Sequence, residues 1–191
     1  MTLYMQNVLC YSPIKAGVSF LPITIIIGAT SAVASNLVGK LGYKPFMLAG
    51  PLALATGLFT ISATMKVGGT YWANVFPGLA LCALGMGLTF VSGTLAATSG
   101  VPKHFSGLAA GILNTSQQVG GAIGLAILSA VAFSSVKQHM ADRVTPLVAQ
   151  VHGYQDGLRV GAFLALAAAV VVLLVIKNHK VYAHDAAGVI V

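Results

Sequence analysis

Charge is what this sequence has least of. Only 7% of its 191 residues are charged, where a soluble domain carries about 25%. Acid is the scarcer sign: the three acidic residues are all aspartates, Asp142, Asp156 and Asp185. No carboxylates are paired, no nucleophile–base–acid set occurs, and no glycine loop precedes a basic helix end where phosphate could sit. The sequence therefore does not read as an enzyme. Cysteine is nearly absent too. Cys10 and Cys82 give no disulfide framework, and no metal-ligand spacing appears, so no metal or other cofactor is expected. The ten lysines and arginines stand singly, without a basic run or interleaved aromatics. The net charge of +7 thus fits loop charges flanking membrane segments, not a nucleic-acid surface. No positive side chain precedes Lys15, so these first residues are not expected to be a signal peptide.

What the chain has instead is apolar length. Hydrophobic residues make up 57%, and the mean hydropathy is +0.90. Uncharged runs cover 24 residues at 16–39, 21 at 45–65, 36 at 67–102, 33 at 104–136 and 17 at 160–176. About 20 such residues cross a bilayer as a helix. None of the runs alternates at period two, so a membrane barrel does not fit, and helices remain. Five spans are expected, near 16–38, 45–65, 76–98, 107–135 and 160–176. Residues 1–15 are expected to be the end of a truncated helix plus an outer loop, and 177–191 a tail. Together they make a single incomplete transmembrane domain of the all-α class.

Within this frame several residues stand out. Pro22 lies inside the first span, where it should kink the helix. The turn from Gly39 to Pro45 is short, which predicts that spans one and two are antiparallel neighbours. The connection from Lys137 to Gly157 is the longest and holds Asp142 and Asp156. Gly85 and Gly87 sit two residues apart, on different faces of span three. In span four, Asn114, Gln117, Gln118 and Gly121 fall on one helical face, which Gly107 and Gly111 extend. Ser116, Gly120 and Gly124 form a small-residue stripe on a neighbouring face. Amides turned to lipid are costly, so these face protein or water. Two readings fit: interhelical hydrogen bonds, or the lining of a solute cavity.

No expected span holds an Asp, Glu, His, Lys or Arg, although proton or sodium coupling usually needs an intramembrane carboxylate or histidine. The chain is therefore not expected to run coupled transport alone. Orientation cannot be read from charge: five basic residues fall on each side.

Three stretches carry a resemblance: "YMQNVLCYSPIKAGVSFLPITI", "NLVGKLGYKPFMLAG" and "GLAAGILNTSQQVGGAIGLAIL". In this order and spacing they resemble the C-terminal part of a major facilitator superfamily transporter, of the fourteen-helix bacterial drug:proton antiporter branch. The resemblance implies five helices of the second half, with residues 11–15 outside and both Gly39–Pro45 and the tail in the cytoplasm. It implies multidrug efflux by alternating access, powered by a proton gradient, in the inner cell membrane of a bacterium. The expected partners are the bilayer, small hydrophobic or amphiphilic solutes, and the remaining transporter half. Gly39, Lys40, Gly42 and Lys44 resemble a cytoplasmic gating-loop motif, with Gly39 standing where the family has an acid. Asn114, Gln117 and Gln118 become candidates for the substrate cavity. Gly107, Gly111, Ser116, Gly120, Gly121 and Gly124 become candidates for the helix packing that the conformational switch depends on. The rival reading is a small membrane protein that does not transport, or a remnant of a transporter gene.

Overall fold

A computed structural model describes residues 1–98 and 101–176. The tail at 177–191, expected in the cytoplasm, lies outside the described residues. Among those described there is no strand. The elements are α1 (Thr2–Asn7), α2 (Pro13–Val18), α3 (Leu21–Leu41), α4 (Lys44–Thr64), a π-helical turn (Tyr71–Val75), α5 (Phe76–Thr98), a 3-10 turn (Lys103–Phe105), α6 (Ser106–Ala141) and α7 (Pro146–Val175). Among the described residues five spans are long and apolar enough to cross a membrane: Pro13–Leu41, Lys44–Thr64, Tyr71–Thr98, Ser106–Ala141 and Pro146–Val175.

The first span is broken. Ser12 caps α2 by accepting a hydrogen bond from the Lys15 amide, with Pro13 in the first turn behind it. The break falls at Ser19–Phe20, and Pro22 sits in the first turn of α3, not at a kink within one helix. A proline there gives up an amide that has no helical partner anyway. The buried Tyr71 hydroxyl donates to the Ser19 carbonyl at the break. Pro51 lies inside α4 directly after Gly50, and both are buried.

Spans one and two follow each other antiparallel, but they are not packing neighbours. α3 and α4 meet only weakly, and each packs on α5 instead. Two of the glycines of α5 explain this. A side-chain carbon at Gly85 would meet the Gly50 carbonyl oxygen on α4, and one at Gly87 would meet Thr30 and the Ile27 carbonyl on α3. The α4–α5 seam is reciprocal: Gly50 faces Gly85, and Gly57 faces Gly78. Such contact between backbones is possible only without a Cβ.

α4 also packs along α7. Phe59 meets Phe163 edge-on, and Gln155 Nε2 donates to the Met65 carbonyl at 2.8 Å. The largest buried side chains gather where α1, the Tyr71 turn and the adjoining ends of α4, α5 and α7 meet. They include Tyr4, Met5, Ile61, Met65, Tyr71 and Val75. Tyr4 closes this end by donating its hydroxyl to the Lys66 carbonyl at 2.8 Å.

The longest expected loop is mostly helix. α6 runs on to Ala141 and α7 begins at Pro146, leaving a turn of 142–145 with Arg143 at φ 60°. Thr145–Pro146 is a helix start by its chemistry. At 1.5 Å per residue the 36 residues of α6 outreach a hydrocarbon core of about 30 Å. Polar ends beyond the lipid can therefore stay helical. Asp156 accordingly lies on α7 and not in a loop, as do His152 and Arg159, while Lys137 and His139 lie on α6.

Candidate functional site

α6 is gripped along one half and open along the other. In the half near Ala141, Gly153 of α7 fits against Val136 and the Ala132 carbonyl, and Gly157 approaches the Leu128 carbonyl. In the half near Ser106, residues 107–123 are exposed except Ala109 and Leu113. Every candidate cavity residue falls there. Asn114, Gln117 and Gln118 are exposed, with no hydrogen-bond partner among the described residues. By the helical repeat of 3.6 they continue the stripe of Leu125 and Ala132.

That stripe leads into a narrow cleft of about 260 Å³. Its walls come from Met1 and Tyr4 at the start of the chain, α4 (Leu58), α6 (Leu125, Leu128, Ser129, Ala132) and α7 (Tyr154, Gly157, Leu158, Gly161). Tyr4 and Tyr154 meet edge-on within it, centroids 6.3 Å apart. The cleft is mostly apolar; the side chains with polar atoms among its lining residues are Ser129, Tyr154 and Tyr4, whose hydroxyl is bound to the Lys66 carbonyl. Such a lining suits a hydrophobic solute held by few polar anchors. The sequence did not single out Tyr4, Ser129 or Tyr154. Tyr154 lay in the expected loop, and Tyr4 is joined to α7 only by the fold.

A second groove runs along α6 itself, lined by Gly107, Leu108, Gly111, Ile112, Thr115, Ser116, Val119 and Gly120. Gly107 and Gly111, which the helical repeat puts on the amide face, also border this groove with Ser116 and Gly120. A side-chain carbon added at Gly107, Gly111, Gly120, Gly121 or Gly124 would meet nothing within 4 Å. Within the described residues, then, no helix makes the close approach that these glycines permit. The close approaches are made elsewhere, by Gly50, Gly57, Gly78, Gly85, Gly87 and Gly153.

The loop between α3 and α4 has a definite geometry. Gly39 is exposed and meets nothing, and Lys40 ends α3. Gly42 takes φ 80°, which favours glycine, and its amide donates to the Val38 carbonyl at 2.9 Å. Lys44 opens α4. Neither lysine has an acidic partner among the described residues, where the ion pair present joins Arg159 to Asp156.

Comparison with known proteins gives these surfaces a context. Residues 1–125 match the model of the Major Facilitator Superfamily. The chain is 34% identical over 179 residues to the puromycin resistance protein pur8 of Streptomyces alboniger, covering 91% of this chain and 34% of that protein. It is 30% identical to the multidrug resistance protein Stp of Mycobacterium tuberculosis over 79% of this chain and 28% of that protein. It is also 30% identical to the tetracenomycin C resistance and export protein of Streptomyces glaucescens, over 74% of this chain and 26% of that protein. The chain therefore spans about a third or less of the length of these relatives.

Proposed function

Because the chain belongs to the major facilitator superfamily, we propose that it is one wall of an efflux transporter for small hydrophobic or amphiphilic compounds, and that the rest of the transporter covers the open face of α6. The observation that carries this is the exposed segment 107–121. It holds three amides and a run of glycines on an apolar helix, in a chain whose resistance-protein relatives are about three times as long. Three solvated amides and a bare glycine groove are expensive against lipid and useful against protein or a watery path. The glycine groove seats a helix of the other half. The amide stripe and the Tyr4–Tyr154 cleft face the solute.

The work is done by alternating access, and the energy comes from proton entry in exchange for drug. The carboxylate that the described spans do carry, Asp156 on α7, is held by Ser135 and Arg159, so the coupling groups lie in the covering half. The membrane is the inner cell membrane of a bacterium, with the Gly42 turn in the cytoplasm and the Tyr71 turn outside. The Gly42 turn then acts as a cytoplasmic hinge, its two lysines facing acids of the other half.

The test is Gly120→Leu in the assembled transporter. A leucine there fills the groove, and drug resistance should fall severely at unchanged membrane abundance. Full resistance would show that no helix occupies the groove.

A further inference from the structure

The Ala141 end of the α6–α7 pair holds a cluster of ionisable side chains that plays no part in the open face of α6. On α7, His152, Asp156 and Arg159 share a flank with Phe163, away from the cleft-lining Tyr154 and Leu158. Asp156 is held from both sides: Ser135 Oγ of α6 donates to Oδ2 at 2.6 Å, and Arg159 Nη1 donates to Oδ1 at 3.0 Å. One turn further along α6, the His139 ring lies parallel to the His152 ring, with centroids 4.6 Å apart and an interplanar angle of 6°. His139 Nδ1 is 2.8 Å from the Ser135 carbonyl oxygen. A carbonyl only accepts, so Nδ1 carries the hydrogen and Nε2 is the basic nitrogen of the neutral ring. The other charged residues near this end are Lys137 on α6, Asp142 and Arg143 in the turn, and Lys66 just beyond α4.

We propose that this cluster is a pH-operated clasp, in which the stacked His139–His152 pair holds α6 against α7 while at least one ring is neutral and releases it when both are protonated. A single proton on two facing rings is tolerable, because the neutral ring presents its π face to the charged one. Two protons place like charges in contact, and each opposes the other. Asp156 is already paired with Arg159, so much of its charge is offset before either imidazole takes a proton. The Gly153 seam below the clasp has no such sensitivity, so the opening is confined to residues near the 142–145 turn. The inference needs only α6 and α7, and it stands whether or not the chain transports.

Hydrogen exchange of the full chain in lipid nanodiscs tests it, at about pH 7.5 and about pH 5, the range over which imidazole changes charge. After correction for intrinsic rates, backbone amides of 136–150 should exchange several-fold faster at the lower pH, with those of 124–132 unchanged. His152→Phe keeps a flat ring for the stack but removes the second proton, and should abolish the pH dependence. His139→Phe should do the same. Asp156→Asn should speed exchange at both values and leave their ratio intact. Equal exchange at the two pH values would overturn the proposal. So would a pH dependence that survives in both phenylalanine variants or disappears in Asp156→Asn, which would assign the effect to the carboxylate.

Discussion

At Gly85 the α5 backbone approaches α4 so closely that a Cβ would sit 2.5 Å from the Gly50 carbonyl oxygen. Backbone cannot swing aside as a side chain can. Gly85→Leu should therefore destabilise the fold by at least about 3 kcal/mol, the upper part of the overpacking range. Gly17→Leu, at a position with nothing within 4 Å, should be nearly silent. Thermal inactivation in detergent compares them, and equal midpoints would contradict the seam. Gln118 makes the opposite kind of prediction. It has no partner among the described residues, so Gln118→Leu should leave the chain's stability alone. In the assembled transporter it should instead alter relative resistance to different compounds a few-fold, read from growth inhibition at equal expression. An unchanged spectrum would return the amide to plain packing. The sequence made some of these residue roles legible and hid others. Gly85 and Gly87 read correctly as lying on separate faces, since that follows from the helical repeat alone. Their partners Gly50 and Thr30 did not emerge, because which helices meet is decided by the fold.

At the scale of elements, the spans were plain and their ends were not. An uncharged run marks the depth of hydrocarbon, but a helix is free to continue past it into water. α6 and α7 do so, and the polar residues from Lys137 to Gly157 therefore read as a loop. The signal that could have corrected this was Thr145–Pro146, a helix start in the middle of the expected connection. Packing partners were hidden for a different reason. Lipid is as apolar as a helix interface, so a span need show no contrast between its buried and exposed faces. The short Gly42 turn correctly gave the chain reversal between α3 and α4, and wrongly suggested that they pack together. On α6 the consequence is testable in its two halves. Gly153→Leu on α7 would strike Val136 and the Ala132 carbonyl, and should weaken the folded chain itself. Gly120→Leu should not, because its space is empty here, and should impair only the assembled transporter. Melting of the purified chain and resistance of cells carrying the whole transporter separate the two. A Gly120→Leu chain that melts as low as Gly153→Leu would contradict the division of α6.

At the scale of the molecule, the chain belongs to a transporter family but spans about a third of the resistance proteins it resembles. Among the described residues its glycine groove faces nothing, its amides have no partners, and the carboxylate on its spans, Asp156, is taken up by Ser135 and Arg159. Each of these is accounted for by a covering half that supplies a helix, a path and the coupling groups. That is the central claim, and proton-driven movement of a fluorescent hydrophobic cation in vesicles tests it most directly. Three preparations are compared: the chain alone, the chain with the remaining transporter half, and that pair carrying Gly120→Leu. The account predicts movement in the second and little or none in the first and third. Proton-driven movement by the chain alone would contradict it.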